Sequence, residues 1–191
     1  MRKLLIASTV LLALFLILWY LVSQRPETEQ TIDKTYLNNM ADFALKSSAF
    51  KNNETIPAKY TCDGENVNPL LEIKNPPAET KSFILIMDDP DATRGGTWDH
   101  WIMWNIDAKT QYVSEDSAPM GAVQGKTSFG YEKYGGPCPP KGSAPHHYNF
   151  KLYALNAKLN LPDGSSKADV ERAMQGHVLA ETVLIGLYAR K

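Results

Sequence analysis

Three short segments of this chain carry side chains able to hold an anion or move a proton. They are Asp88-Asp89-Pro90-Asp91, Trp98-Asp99-His100-Trp101 and His146-His147-Tyr148. An imidazole, a tyrosine hydroxyl and loop amides all donate to phosphate or carboxylate oxygens. A carboxylate can orient an imidazole and favour its cationic form. Together these groups would make a small oxyanion pocket, with Trp98, Trp101 and Tyr134 as apolar walls. Each segment also has a plainer reading. Asp-Pro-Asp alone is a turn, and a histidine opening a strand is most often a hydrogen-bonded structural residue. His146 and His147 alternate across a strand, so only one of them faces a given site. A metal site from Asp89, His100 and His146 has no HxxxH or CxxC spacing behind it, and no metal is expected. No Gly-x-Ser-x-Gly elbow and no dinucleotide fingerprint is present, and Ser143 is a weak nucleophile candidate. His177 reads as structural or solvent-facing. No cofactor is expected.

These side chains sit where strands meet turns. Ser82–Met87 is a short apolar run closed by the Asp-Pro-Asp turn and reads as a buried strand. His100–Ile106 reads as a second strand and Tyr148–Leu155 as a third. The third puts Tyr148, Phe150 and Leu152 on one face, with Asn149 and Lys151 on the other. Leu70–Ile73 and Thr182–Ala189 are further strands. One helix is expected over Lys167–Gln175, with Ser166 as N-cap, Asp169 three residues on, and Gly176 just past the end. Many strands with one late helix predict a mainly β, antiparallel sandwich. The stretch between Ile106 and Tyr148 lacks periodicity, and its aromatics predict an ordered, functional loop. It ends in Gly135-Gly136-Pro137-Cys138-Pro139-Pro140, a stiff cradle that leads into the two histidines.

The chain opens with Met1-Arg2-Lys3 and an uncharged apolar run, Leu4–Val22. About 20 residues at helical rise match the ~30 Å hydrocarbon core, longer than the 7–15 residues of a signal-peptide core. Residues 1–22 are therefore expected to be an uncleaved signal anchor, a single transmembrane helix with Trp19 and Tyr20 at the interface. The alternative is secretion after cleavage. Arg2 and Lys3 would stay in the cytoplasm, placing the domain on the periplasmic or extracellular side of the cell membrane. Residues 23–40 read as a polar tether, and residues 41–191 as the domain. Removing Arg2 and Lys3 from 20 basic residues, with 21 acidic ones untouched, leaves a net charge of −3. Nothing there resembles a nucleic-acid footprint. Cys62 and Cys138 are the two cysteines. An exported compartment permits a disulfide between them, and two separate thiols are the alternative.

Taken in order, these segments resemble the phosphatidylethanolamine-binding protein family, also called Raf kinase inhibitor protein-like, in its bacterial branch. The matching residues are Tyr60-Thr61-Cys62-Asp63-Gly64-Glu65-Asn66, Asp88-Asp89-Pro90-Asp91-Ala92, His100-Trp101 and Gly121-Ala122-Val123-Gln124-Gly125. They continue through Tyr134–Pro140, His146-His147-Tyr148, Tyr153-Ala154-Leu155 and Gly176-His177-Val178-Leu179-Ala180. The resemblance covers about residues 43 to 190. It implies a β-sandwich with a C-terminal helix and a pocket for phosphate, phosphorylethanolamine-like headgroups or acetate-like anions. By motif, the ligand-binding residues would be Asp89, Asp91, His100, His146 and Tyr148, with Gly136 and Pro137 shaping the wall. Thr93 stands where the family has proline, and His147 where it has arginine. The expected function is a non-enzymatic, membrane-tethered binder of a small anionic ligand or phospholipid headgroup. A possible protein target, through inhibition of an envelope protease or kinase, is the alternative, and a weak hydrolase is a third.

Overall fold

The computed structural model describes residues 43–93 and 95–191. The expected transmembrane helix (1–22) and tether (23–40) lie outside the described residues. No helix among the described residues is long and apolar enough to cross a membrane.

The described chain is mainly β. Its strands in order are β1 (Ala44–Ser47), β2 (Glu54–Thr55), β3 (Leu71–Lys74), β4 (Ser82–Asp89), β5 (Trp98–Asp107), β6 (Tyr112–Val113), β7 (Val123–Gln124), β8 (His146–Leu155) and β9 (Val178–Tyr188). One helix, α1 (Lys167–Ala173), precedes β9. A three-stranded sheet has the order β1-β3-β6, and a six-stranded sheet the order β2-β9-β8-β4-β5-β7. The long pairings are antiparallel, but β2 runs parallel to β9. The sheet is therefore not wholly antiparallel as expected. β2 and β9 are neighbours in the sheet but more than 120 residues apart in sequence, so no tight turn dictates their relative direction.

β4 lies inside the large sheet and is buried along its whole length. A strand covered on both faces reads as a continuous apolar run, which is why Ser82–Met87 stands out in the sequence. Phe83, Leu85 and Met87 join Leu45, Leu71, Ile73 and Val113 of the small sheet in one hydrophobic cluster. Ile84 and Ile86 join Ile102, Trp104 and Val170 of α1 in a second. Each fully buried side chain of this size contributes about 1.5–3 kcal/mol.

Two bulges re-aim β5. Its register against β4 shifts between Phe83 and Leu85, and again between Met87 and Asp88. At the first shift Asn105 takes a left-handed φ of 56°. Its amide then clasps Leu159 through two hydrogen bonds of 2.8 and 2.9 Å. At the second, Met87 pairs with Trp101 and Asp88 with Asp99, so His100 is the extra residue. Bulges characteristically turn a side chain out of alternation. Here the bulge puts His100 on the same side of the sheet as Trp98 and Trp101.

α1 ends at Ala173, two residues before the expected Gln175. Its start is as expected. Ser166 caps the Asp169 amide and Asp169 bonds back to the Ser166 amide, a reciprocal capping box. The stretch between Ile106 and Tyr148 is ordered and carries β6 and β7. Antiparallel pairing brings the end of β4, the start of β5, the start of β8 and the end of β9 to one edge of the large sheet. The chemistry-bearing residues collect there.

A candidate anion pocket

A cavity of about 440 Å³ opens at that edge, with Asp89, His100, His146 and Tyr148 in its lining. Alternation delivers three of the four. Asp89 follows Phe83, Leu85 and Met87 along one face of β4. His146 and Tyr148 precede Phe150 and Leu152 along the matching face of β8. The bulge delivers the fourth, His100.

His146 Nδ1 lies 2.8 Å from Asp89 Oδ2, with both side chains only 6% exposed. The carboxylate fixes the ring and leaves Nε2 unspoken for. Asp89 Oδ1 accepts the Asp91 amide at 2.8 Å, closing the Asp-Pro-Asp turn. His100 Nδ1 is 2.6 Å from the Gly135 carbonyl. Burial pushes this imidazole below its usual range. It is therefore neutral near pH 7, donating from Nδ1 and presenting Nε2 as an acceptor. The Gly135 amide returns a bond to the His100 carbonyl at 3.0 Å, so loop and strand hold each other.

Tyr148 is fully buried and its hydroxyl has no aligned hydrogen-bond partner in the protein. Its ring stands edge-on to His100 at 5.2 Å and stacks over His146 at 6.5 Å. Burial first, and the nearby Asp89 carboxylate second, drive the phenol far above its usual range. The hydroxyl therefore stays protonated, a donor waiting for an acceptor. Ionisation could not supply a base here.

The structure sorts the remaining candidates. Asp91 does not line the cavity. Its carboxylate accepts from the His147 amide at 2.8 Å and from His147 Nδ1 at 2.7 Å, in an exposed pair. That pair holds Asp91 well below the usual carboxylate range, the backbone bond first and the imidazole bond second. His147 thus occupies the place of the arginine that the resemblance led one to expect. Gly136 and Pro137 stand behind the wall. The Gly136 amide donates to Asn66 Oδ1 at 2.8 Å, and the Pro137 carbonyl accepts from the Cys62 amide at 3.1 Å. A Cβ at residue 136 would collide with the Tyr60 carbonyl. The wall itself is made by Cys138, Pro139 and Pro140.

Trp98 lines the cavity, whereas Trp101 and Tyr134 do not. Trp101 donates to Gln124 and Tyr134 to the Tyr60 carbonyl, both within the core. Cys62 and Cys138 form a disulfide. Among the described residues no group of three or more His, Cys, Asp or Glu side chains could hold a metal ion. His177 is exposed and bonds to Asn156 at 3.0 Å.

Four lining residues lie outside the expected ligand-binding set: Ala92, Thr93, Phe129 and Arg190. Phe129 packs edge-on to His100 at 5.2 Å and stacks on Tyr131. No spacing in the long loop marks it. Arg190 would have been visible only with the pairing of β8 and β9 in hand.

Beneath the sheet, the alternate residues form an ion cluster. Asp88 is fully buried and accepts from Lys151 at 2.6 Å and Lys167 at 2.7 Å. Although burial is the largest influence and acts upward, the two ammonium groups hold its carboxyl below the usual range. Asp99 Oδ1 lies 3.1 Å from Lys167 without hydrogen-bond alignment. Asp88 and Asp99 adjoin Asp89 and His100, so this cluster braces the strand ends that carry the cavity.

Residues 46–189 match the family described as phosphatidylethanolamine-binding protein. A UPF0098 protein of Pyrococcus horikoshii is 48% identical over 151 residues, covering 76% of each chain. The crystal structure of Escherichia coli YbcL, described as a new member of the mammalian PEBP family, aligns with a TM-score of 0.74 at 36% identity. It covers 78% of this chain and 99% of that one. A PEBP homologue from Chlamydia trachomatis aligns equally well, at 37% identity over 78% and 98%. A family match over most of the domain, with relatives near half identity, leaves one conclusion: the chain belongs to the phosphatidylethanolamine-binding protein family.

Proposed function

We propose that this domain is a non-enzymatic binding protein for a small anion, a phosphate or carboxylate of the size of a lipid headgroup. One observation carries the reading: the Tyr148 hydroxyl is a buried donor with no aligned hydrogen-bond partner in the protein, beside a His146 whose Nδ1 is committed to Asp89. A buried unpaired donor costs free energy unless an acceptor is supplied from outside. An anionic oxygen between Tyr148 Oη and His146 Nε2 would supply it. The family's own description favours a phosphorylated headgroup. Ser143 is not part of the lining, which argues against the hydrolase reading.

We further infer that the two sheets close as a sandwich and that residues 1–22 anchor the domain outside the cytoplasmic membrane. The uncharged run Leu4–Val22 behind Arg2 and Lys3 supports the anchor, and the disulfide suits an oxidising compartment. Isothermal titration with phosphate, phosphorylethanolamine and acetate tests the binding function. Heat is expected with at least one of them, and His146→Ala is expected to weaken it about tenfold or more. Absence of binding by folded protein, or full affinity in His146→Ala, would sink the reading.

A further inference from the structure

Arg190 reaches the cavity wall from just beyond β9, and among the described residues it is the one lysine or arginine in the lining. It is held on several sides. Its carbonyl accepts from the Gly142 amide at 3.0 Å, and its backbone bridges to Lys141. Its Nε and Nη2 donate to Asp63 at 2.8 to 3.1 Å. Asp63 also accepts from the Tyr188 hydroxyl at 2.8 Å and follows Cys62, the disulfide partner of the wall residue Cys138. A guanidinium has five N–H donors. With Asp63 along one edge, Nη1 and the second Nη2 hydrogen remain available.

The strand register leads to this cation. Tyr188 pairs with His146 and Gly186 with Tyr148. Residues two apart share a face, and each such step advances about 7 Å. Tyr148 and His146 are thus successive levels of the cavity, and Arg190, two residues past Tyr188 and also lining it, lies further out. Exposure rises along them from 0% through 5% to 23% for the Arg190 side chain. An anionic oxygen between Tyr148 and His146 leaves the outer level unfilled in a cavity of this size. A cationic group is a poor fit there. Asp63 is engaged by Tyr188 and Arg190, and Asp89 by His146 and the Asp91 amide, so both carboxylates already have cationic or N–H partners, whereas the free guanidinium hydrogens of Arg190 call for an acceptor.

Resting on the anion-binding reading above, we propose that Arg190 selects ligands bearing a second anionic group. The phosphate sits at Tyr148 and His146, and a carboxylate or second phosphate sits at Arg190. The chemistry is that of a phospho-acid, either free as a phosphomonoester or carried as the headgroup of an anionic phospholipid. Phosphorylethanolamine, whose second group is an ammonium, meets a like charge at that level.

Calorimetric titration of the full chain with O-phosphoserine, phosphorylethanolamine and glycerophosphoserine tests this. The wild type is expected to favour O-phosphoserine over phosphorylethanolamine about tenfold, the contribution of one charged hydrogen-bonded pair. In Arg190→Gln the ratio should fall to about one. Arg190→Lys keeps a partner for Asp63 but not the planar fork, so it should fold and retain only part of the preference. A glycerophosphoserine affinity matching O-phosphoserine would support the lipid source; a marked preference for the monoester would support the free ligand. Equal wild-type affinities for the two phosphates, or a preference that survives Arg190→Gln, would overturn the selection by Arg190 while leaving anion binding intact. Binding of none of the three, with phosphate and acetate also silent, would overturn both; binding of phosphate or acetate alone would overturn only the selection by Arg190.

Discussion

At the scale of single residues, the site exchanges stability for readiness. The Tyr148 hydroxyl is buried without an aligned hydrogen-bond partner in the protein, and such a group costs about 1–3 kcal/mol. Tyr148→Phe should therefore leave the thermal midpoint unchanged or higher. It should also weaken phosphate binding about ten- to a hundredfold, because a donor to a charged acceptor is lost. Paired melting and titration curves check both halves. A variant that melts earlier, or binds as before, would show that the hydroxyl is structural. Which aspartate serves the cavity could not be read at this scale. Asp89 and Asp91 have the same type and share one turn. They differ only because β8 brings His146 beneath one and the His147 amide beside the other.

At the scale of elements, short pieces hold their geometry through caps and bulges. α1 has seven residues, too few to be stable alone. It depends on the Ser166–Asp169 capping box and on Val170 packed in the second cluster. Ser166→Ala should lower the unfolding free energy by about 1 kcal/mol in a denaturant melt. An effect near zero would mean that burial of Val170 alone suffices. The cap was legible in sequence because the pattern is local. The bulge at His100 was not. It exists only as a mismatch in count between β4 and β5, and periodicity along one strand carries no record of its partner.

At the scale of the whole molecule, one covalent link spans 76 residues and joins the opening of the domain to the cavity wall. Chain-entropy estimates for a loop of that length give about 4.5 kcal/mol. Reduction, or replacement of both cysteines by serine, should lower the denaturant midpoint by an amount equivalent to about 2–4 kcal/mol. Anion affinity should fall with it, because Cys138 is itself lining. Coincident unfolding curves for oxidised and reduced protein would refute the stabilising role. The link does not act alone: Tyr134 to the Tyr60 carbonyl and Gly136 to Asn66 cross the same seam.

By itself the sequence determined the apolar strands, the capped helix, the Asp-Pro-Asp turn and the family, because each is a pattern between near neighbours or an ordered set of motifs. It named Asp89, His100, His146 and Tyr148, since strand ends next to Gly/Pro-dense turns are where polar side chains can be spared from the core. Only the tertiary structure decided that Asp91 turns to His147 and that Gly136 and Pro137 stand behind the wall. Only it showed that Phe129 and Arg190 join the lining. Those outcomes rest on contacts between distant segments, such as the pairing of β4 with β8 and of His146 with Tyr188. Register and tertiary contact are properties of two segments packed together, and neither segment holds them alone.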